Sequence, residues 1–290
     1  MEYFLHIVIM VNIYIVLVLS ANLPIGMANL LTLGQAAFYG IGAYISAFFL
    51  MQYNLPFVVV VLAVMLLTGL FSYMVSFASV KLKGDYFVLA TLGFQMIVYT
   101  VLYNWTSVTR GPYGIPGIPS VKLAGIWNVS GVYGYFFLTC MVVVAAGFLF
   151  RSVKYSPYGR VLRAMRNDEL VVAAMGRNPV SFKSWAFFLS AAFSGLAGLM
   201  YASYVSYIDP TSFTLDESIF IISALFIGGT GNIRGPILGA VFVVVLPELL
   251  RFVGLPNAIV ANMRQIIYGL ALIGVMLYRP QGIWGETGMK

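Results

Sequence analysis

The residues best suited to contacts between proteins lie in one basic segment, residues 156–176, with the sequence SPYGRVLRAMRNDELVVAAMG. Arginines recur every third residue, at Arg160, Arg163 and Arg166, and the carboxylates Asp168 and Glu169 follow them. Guanidinium and carboxylate groups form charge-assisted hydrogen bonds with groups of opposite charge. The segment therefore suits docking on a partner; the alternative is a plain basic loop that sets topology and touches anionic lipid.

The same segment contains signals for short helices. Ser156 followed by Pro157 is typical of an N-cap and first turn, and Gly176 of a left-handed helix stop. Asn167, Asp168 and Glu169 indicate a second cap with acids in the first turn. We expect two short helices, or one bent helix, outside the bilayer. A plain topology loop needs neither these caps nor the apolar residues that fall on about one face of the second helix, namely Leu170, Val171 and Ala174.

A second set of candidate residues is neutral, polar and embedded in apolar runs. An amide that faced lipid would leave its hydrogen-bonding groups unsatisfied. We therefore expect these side chains to line an aqueous translocation path or to form hydrogen bonds between helices, and the sequence favours neither alternative. The candidates are Asn29, Gln35, Thr91 and Gln95.

Catalytic and metal chemistry is not indicated. The glycine-rich stretch GGTGNIRGP has Arg234-Gly235-Pro236 where a phosphate-binding loop needs Gly-Lys followed by Ser or Thr, so we predict a tight turn. The sequence has no Walker motif elsewhere, and we expect the chain to hydrolyse no ATP. Cys140 is the single cysteine, which excludes an internal disulfide and a cysteine metal cluster. We expect no enzyme activity, no cofactor and no metal.

The composition predicts a protein that faces lipid. Of 290 residues, 61% are hydrophobic and 9% are charged, and the mean hydropathy is +0.94. Soluble domains carry roughly 25% charged residues. The net charge of +7 arises from basic residues between apolar runs, which indicates cytoplasmic loops and contact with membrane lipid rather than nucleic acid.

Helices of about 20 apolar residues must position these groups, because that length spans a hydrocarbon core. We predict an all-α fold with a single transmembrane domain, residues 1–290, and a polytopic bundle of about 8 to 9 spans. The seventh run is short, and eight spans plus a re-entrant segment would also fit. The runs are residues 4–20, 29–51, 56–79, 86–103, 133–150, 184–207, 217–230, 236–253 and 258–278.

Basic residues predict the orientation, because cytoplasmic loops are enriched in Lys and Arg. With nine spans we expect the N-terminus outside, the C-terminus inside, residues 104–132 as an extracytoplasmic loop and residues 151–183 as a cytoplasmic loop. The glycines and prolines of residues 111–119 favour irregular structure in the first of these loops. The basic residues then placed inside are Lys81, Lys83, Arg151, Lys154, Arg160, Arg163, Arg166, Arg177, Lys183, Arg234, Arg279 and Lys290.

Seven motifs in register resemble those of the LivH/LivM family of branched-chain amino acid permeases of ABC importers, and more those of the LivM branch. The resemblance covers nearly the whole chain. The motifs are LTLGQAAFYGIGAY at residues 31–44, LKGDYFVLATLGF at 82–94, RGPYGIPGIP at 110–119, GRVLRAMRNDELVVAAMG at 159–176, FFLSAAFSGLAGLMYA at 187–202, FIGGTGNIRGPILGA at 226–240 and RPQGIWG at 279–285.

This resemblance implies a permease subunit in a bacterial or archaeal inner membrane. Its implied partners are a homologous permease, two cytoplasmic ATPase subunits and an extracytoplasmic substrate-binding protein. Residues 156–176 would be the ATPase-coupling element, with Arg160, Arg163, Arg166, Asp168, Glu169 and Gly176 as its site residues. Urea, amides and sugars remain alternative cargoes. A stand-alone channel or secondary transporter is the alternative that needs no partner, and it should show a charged cluster inside the spans.

Overall fold

The computed structural model describes residues 2–53, 55–82, 84–123, 127–128, 131–252, 257–278 and 282–285. It confirms an all-α, polytopic architecture, and the few strands are two residues long. The helices are α1 Glu2–Asn22, α2 Gln35–Gln52, α3 Phe57–Ser79, α4 Asp85–Asn104, α5 Thr106–Thr109, α6 Val132–Tyr155, α7 Pro157–Asn167, α8 Glu169–Ala174, α9 Pro179–Val205, α10 Leu215–Gly228, α11 Arg234–Phe252 and α12 Asn257–Tyr278. The strands are β1 Ile115–Pro116, β2 Lys122–Leu123, β3 Trp127–Asn128 and β4 Tyr207–Ile208.

Five helices in the described part of the chain are long and apolar enough to cross a membrane by themselves. They are α1 with the turn that follows it, α3, α4, α6 and α9. The other predicted runs correspond to α2, α10, α11 and α12, and α10 has only 14 residues, in agreement with the predicted short seventh run. The number of spans is therefore in the predicted range.

Helix α9 lies at the centre of the bundle. In the most apolar stretch of α9, 83% of the residues are buried, whereas the corresponding share is 22% in α4 and in α6. Small residues permit this burial: a Cβ atom on Gly195 would collide with Thr68 of α3, and one on Gly198 would collide with the backbone of α2. The small-residue positions of α9 thus serve close packing of helices.

The first span ends in an irregular segment. After α1, residues Leu23–Met27 form a π-helical turn with Pro24 near its start, and Asn29 has a left-handed backbone with a φ of 54°. Helix α2 begins at Gln35, so the predicted start of the second run at residue 29 is wrong. Hydropathy could not locate this break, because residues 28–34 are mostly apolar.

Two faces of the bundle carry the connecting segments. The loop face comprises residues 105–118 and 206–214, where β1 pairs antiparallel with β4. We call the second face the coupling face, after the role expected for residues 156–176, and it comprises residues 156–178, 229–233 and 282–285. Its parts meet at the end of the first span, where Asn22 bonds to the backbone of Asn232 and Gly231, and the peptide nitrogen of Trp284 bonds to Gly228.

The predicted irregular loop between α4 and α6 contains more structure than expected. Thr106–Thr109 form the single helical turn α5 before the glycine-rich stretch begins. Pro116 is tolerated in β1 because β1 is an edge strand, which pairs with β4 alone among the described residues. The loop is thereby joined to the segment after α9, and the backbone nitrogens of Gly117 and Ile118 also bond to the carbonyl of Ser206.

Candidate functional site

The turn from α6 into α7 is fixed by Ser156. Its hydroxyl accepts a hydrogen bond from the Gly159 nitrogen at 3.1 Å and donates one to the Val153 carbonyl at 2.7 Å. Gly159 has no room for a side chain, because a Cβ atom would collide with the carbonyls of Val153 and Lys154. The predicted N-cap is confirmed, and α7 leaves α6 at a tight, defined angle.

Helices α7 and α8 are two separate short helices, so the first of the two predicted alternatives is confirmed and the single bent helix does not occur. The N-cap of α8 is Asp168, whose carboxylate accepts from the Leu170 nitrogen at 2.8 Å. Gly176 ends it with a φ of +74°, and the nitrogens of Gly176 and Arg177 bond back to the carbonyls of Ala173 and Val172. The cap at Ser156, a second cap within Asn167, Asp168 and Glu169, and the glycine stop were predicted from the sequence, and the structure places the second N-cap at Asp168.

The three arginines all donate to carbonyl groups of this chain. Arg160, which is exposed, reaches the Tyr155 carbonyl at 3.3 Å, and the half-buried Arg163 reaches that of Lys154 at 3.2 Å. Arg166 donates to the carbonyl of Gly26, in the π-helical turn, at 2.6 Å. The arginines therefore position α7 on the body of the protein, and Arg166 connects it to the irregular end of the first span.

The ion pair of Glu169 also holds the segment in place. Its carboxylate lies 2.6 Å from the ammonium of Lys183 in α9, a partner that the sequence did not identify. The only signal for it was the basic character of the loop end. Tyr158 adds a further attachment, since its ring stacks on Phe182 and its hydroxyl donates to the Phe182 carbonyl at 2.8 Å. Burial raises the pKa of Tyr158 well above its ordinary value, so the hydroxyl keeps its proton as a neutral donor.

Helix α8 presents apolar side chains outward. Leu170 is 74% exposed, Val171 53% and Met175 75%. Val172 of α8 and Leu162 of α7 are buried, so the two helices are packed on the bundle. Contiguous exposed apolar groups on a structured element are typical of a protein interaction site. We call Leu170, Val171 and Met175 the α8 docking face.

Gln35 lies in a buried cluster of hydroxyl groups inside the bundle. Its amide nitrogen donates to Ser190 at 2.8 Å and its amide oxygen accepts from Ser194 at 2.9 Å. Ser194 also bonds to the hydroxyl of Ser20 at 2.8 Å, and Ser190 donates to the Ser20 carbonyl. This network joins α1, α2 and α9, one of the two alternatives expected for this amide.

Gln95 makes a second connection between helices. Its amide nitrogen donates to the Phe213 carbonyl at 2.9 Å, and its oxygen accepts from Ser218 at 3.5 Å. Ser218 in turn accepts from the Ala36 nitrogen at the start of α2.

The other two candidates lie near the break before α2. The hydroxyl of Thr91 accepts from the Leu33 nitrogen at 3.1 Å, and Asn29 lies exposed within the break itself. Gln35, Gln95 and Thr91 thus hold the beginning of α2 against its neighbours. A role of the four residues in the translocation path stays a prediction.

The sequence matches a known family over most of its length. The family model described as "branched-chain amino acid transport system / permease component" matches residues 3–276. No solved structure matches the chain.

Among curated proteins, the high-affinity branched-chain amino acid transport permease LivM of Salmonella typhimurium is 33% identical over 300 residues, covering 96% of this chain and 69% of the relative. LivM of Escherichia coli K12 is 32% identical, with 95% and 68% covered. The guanosine ABC transporter permease NupQ of Bacillus subtilis is 25% identical, with 73% and 71% covered. The chain therefore belongs to the family of branched-chain amino acid transport permeases and is a membrane-spanning permease subunit of an ABC importer.

Proposed function

We propose that this permease moves branched-chain or related amino acids across a bacterial or archaeal inner membrane after an extracytoplasmic binding protein delivers them. The names of the LivM relatives support the cargo. In this proposal the chain pairs with a homologous permease and with two cytoplasmic ATPase subunits. The observation that carries the mechanism is the α8 docking face, whose three apolar side chains lie exposed on a capped helix.

The first step is contact with an ATPase subunit. Leu170, Val171 and Met175 would insert into an apolar groove of that subunit, since helices outside the bilayer expose such groups for protein contacts. Leu162 of α7 and Val172 of α8 are both buried, and in this proposal the two helices move together. A movement of the ATPase then displaces α7 and α8 together and does not deform the segment between them.

The second step passes through Arg166. Its guanidinium holds the carbonyl of Gly26, so displacement of α7 acts on the π-helical turn. Irregular turns inside spans are sites where helices bend. The chain that follows this turn leads to Gln35 and its hydroxyl network. Movement of the turn would therefore rearrange the contacts between α2 and α9. This rearrangement would open the translocation path to one side of the membrane and close it to the other.

The energy comes from ATP hydrolysed by the partners. The turn between α10 and α11 has no Lys for phosphate, and its Asn232 is engaged by Asn22. We propose that the isolated chain hydrolyses no ATP, with the coupling face cytoplasmic, the N-terminus outside and the C-terminus inside.

Uptake by the reconstituted transporter tests this function. Proteoliposomes should contain the chain, the permease and ATPases that are purified with it and, outside, the binding protein. We expect ATP-dependent accumulation of labelled leucine, isoleucine or valine. Uptake of urea, an amide, a sugar or guanosine in place of these amino acids would contradict the proposed cargo, and uptake without ATP or any ATPase would support a stand-alone transporter instead.

A further inference from the structure

A polar cavity of about 410 Å³ lies where the spans approach the loop face. It is bordered by α1, α2, α9, α10 and α12 and by the turn Pro210–Phe213, so it is built by segments distant in sequence. We call it the tyrosine pocket. The lining groups used below are Tyr14, Tyr39, Tyr201, Asp216, Glu217 and Gln265.

Tyr39 is the residue that indicates a ligand. It is 2% exposed, and its hydroxyl makes no hydrogen bond within the described part of the chain. Its electrostatic neighbours are Tyr14, Tyr201 and Glu217, all of which line the pocket. A solute in the pocket would give this hydroxyl a hydrogen-bond partner.

The walls around Tyr39 are held in defined positions. The Tyr14 hydroxyl donates to the carboxylate of Glu217 at 2.5 Å. Ser212 is held by the carboxylate of Asp209, which accepts from its backbone nitrogen at 2.9 Å. The pocket therefore presents carboxylate and hydroxyl oxygens from a rigid frame.

The pocket lies between the proposed delivery side and the core of the bundle. On one side, β4 leads into the Pro210–Phe213 turn and is paired with β1 of the loop face. On the other side, the Phe213 ring packs on Tyr39 with centroids 5.0 Å apart, and the Phe213 carbonyl accepts from Gln95. A solute released at the loop face would meet this pocket before it meets Gln95.

We propose that the tyrosine pocket binds the ammonium group of an amino acid during its passage through the permease. Asp216, Glu217 and the tyrosine hydroxyls offer acceptor oxygens to the three N–H donors of an ammonium. Tyrosine rings attract cations as well. This inference rests on the proposed function, because it names the place at which the delivered amino acid is first bound by the permease.

The substitution Tyr39→Phe tests the hydroxyl in the reconstituted transporter. Tyr44→Phe is the matched control: it lies on the same helix, has a buried hydroxyl without a partner among the described residues and packs on Phe213 too, yet it does not line the pocket. At saturating loaded binding protein we expect Tyr39→Phe to lower leucine uptake about tenfold, the loss of one hydrogen bond to a charged group. Tyr44→Phe should stay within about twofold of the unmodified protein. Equal uptake by both variants at equal membrane levels would overturn the inference.

Thiol labelling tests the charge preference independently. Thr211→Cys in a Cys140→Ser background places a thiol at the pocket, and Ser107→Cys, also near the loop face, is the control. Reagents of matched size should label Cys at 211 about tenfold faster when they carry an ammonium than when they carry a sulfonate. Loaded binding protein with ATP should slow this labelling but not labelling at 107.

The two proposals fail in different ways. Leucine uptake by the unmodified transporter, together with equal labelling by both reagents and no effect of Tyr39→Phe, overturns the pocket alone. Absence of any amino acid uptake by an assembled, ATP-hydrolysing transporter contradicts the proposed function, and with it the amino acid assigned to the pocket.

Discussion

The ammonium nitrogen of Lys183 lies 2.6 Å from a carboxylate oxygen of Glu169 and so fastens α8 to the start of α9. The two side chains differ in burial, since that of Lys183 is 8% exposed and that of Glu169 is 37% exposed. An ammonium left without its partner in the interior costs more than a carboxylate that water can reach.

The pair should therefore respond asymmetrically to substitution. We expect Glu169→Gln to destabilise the protein by about 2 kcal/mol, because it leaves a buried charge unpaired. Lys183→Met keeps the apolar stem and removes that charge, so it should cost less. Thermal unfolding of both variants in one detergent measures the difference, and a lower midpoint for Lys183→Met than for Glu169→Gln would contradict the argument.

The α8 docking face predicts a specific loss of partner binding. Leu170→Glu should weaken ATPase association by at least about 2 kcal/mol if this side chain is a central anchor, because a carboxylate would be buried in an apolar groove. Leu170→Met preserves apolar volume and should retain the ATPase. Co-purification and uptake, measured at equal membrane levels, decide the matter. A topology loop predicts no change in either variant, since no basic residue is altered.

Gly176 provides a test of the helix stop. No atom lies within 4 Å of a Cβ built there, so a substitution is costly through its backbone alone. Gly176→Asn should be tolerated, because Asn adopts left-handed φ, whereas Gly176→Val should cost about 1–2 kcal/mol locally and Gly176→Pro cannot adopt the conformation. Uptake should follow the order Gly, Asn, Val, Pro with normal insertion. Full uptake by Gly176→Pro would show that the turn does not matter for coupling.

The hydroxyl cluster around Gln35 predicts strong coupling between two positions. Gln35→Leu leaves Ser190 and Ser194 without this partner and should cost about 1–3 kcal/mol. Adding Ser194→Ala should cost less than it does in the unmodified protein, since the bond is already lost. A double-mutant cycle by thermal unfolding gives the interaction energy. Strict additivity would mean that the two side chains do not interact.

Orientation is testable by single cysteines in a Cys140→Ser background. Ser120→Cys lies in the loop between α4 and α6, and Asn178→Cys lies just before α9. With an outside N-terminus, impermeant thiol reagents should label position 120 in intact cells and position 178 only after permeabilisation. The reverse pattern would invert the proposed topology.

Local signals made α7 and α8 predictable. The caps at Ser156 and Asp168 and the stop at Gly176 act within a few residues, so the sequence contains all their information. The bond from Arg166 to Gly26 spans 140 positions, and it depends on the packing of whole helices. For that reason the arginine can be recognised in the sequence and its partner cannot.

The same distinction explains the spans and the pocket. Apolar runs located the helices, but the left-handed Asn29 and the late start of α2 at Gln35 leave no trace in hydropathy. The tyrosine pocket needs side chains from five helices, and tyrosines such as Tyr39 look ordinary in an aromatic-rich apolar run. Its residues become a group only when the bundle is assembled.

The short segment at residues 282–285 bears on the order of biosynthesis. Its nitrogens at Ile283 and Trp284 bond to the carbonyls of Ile227 and Gly228, which the end of α10 leaves without helical partners. These carbonyls must wait until more than fifty further residues have left the ribosome. The turn between α10 and α11 is therefore completed only after α12 has been synthesised and residues 282–285 have reached the end of α10.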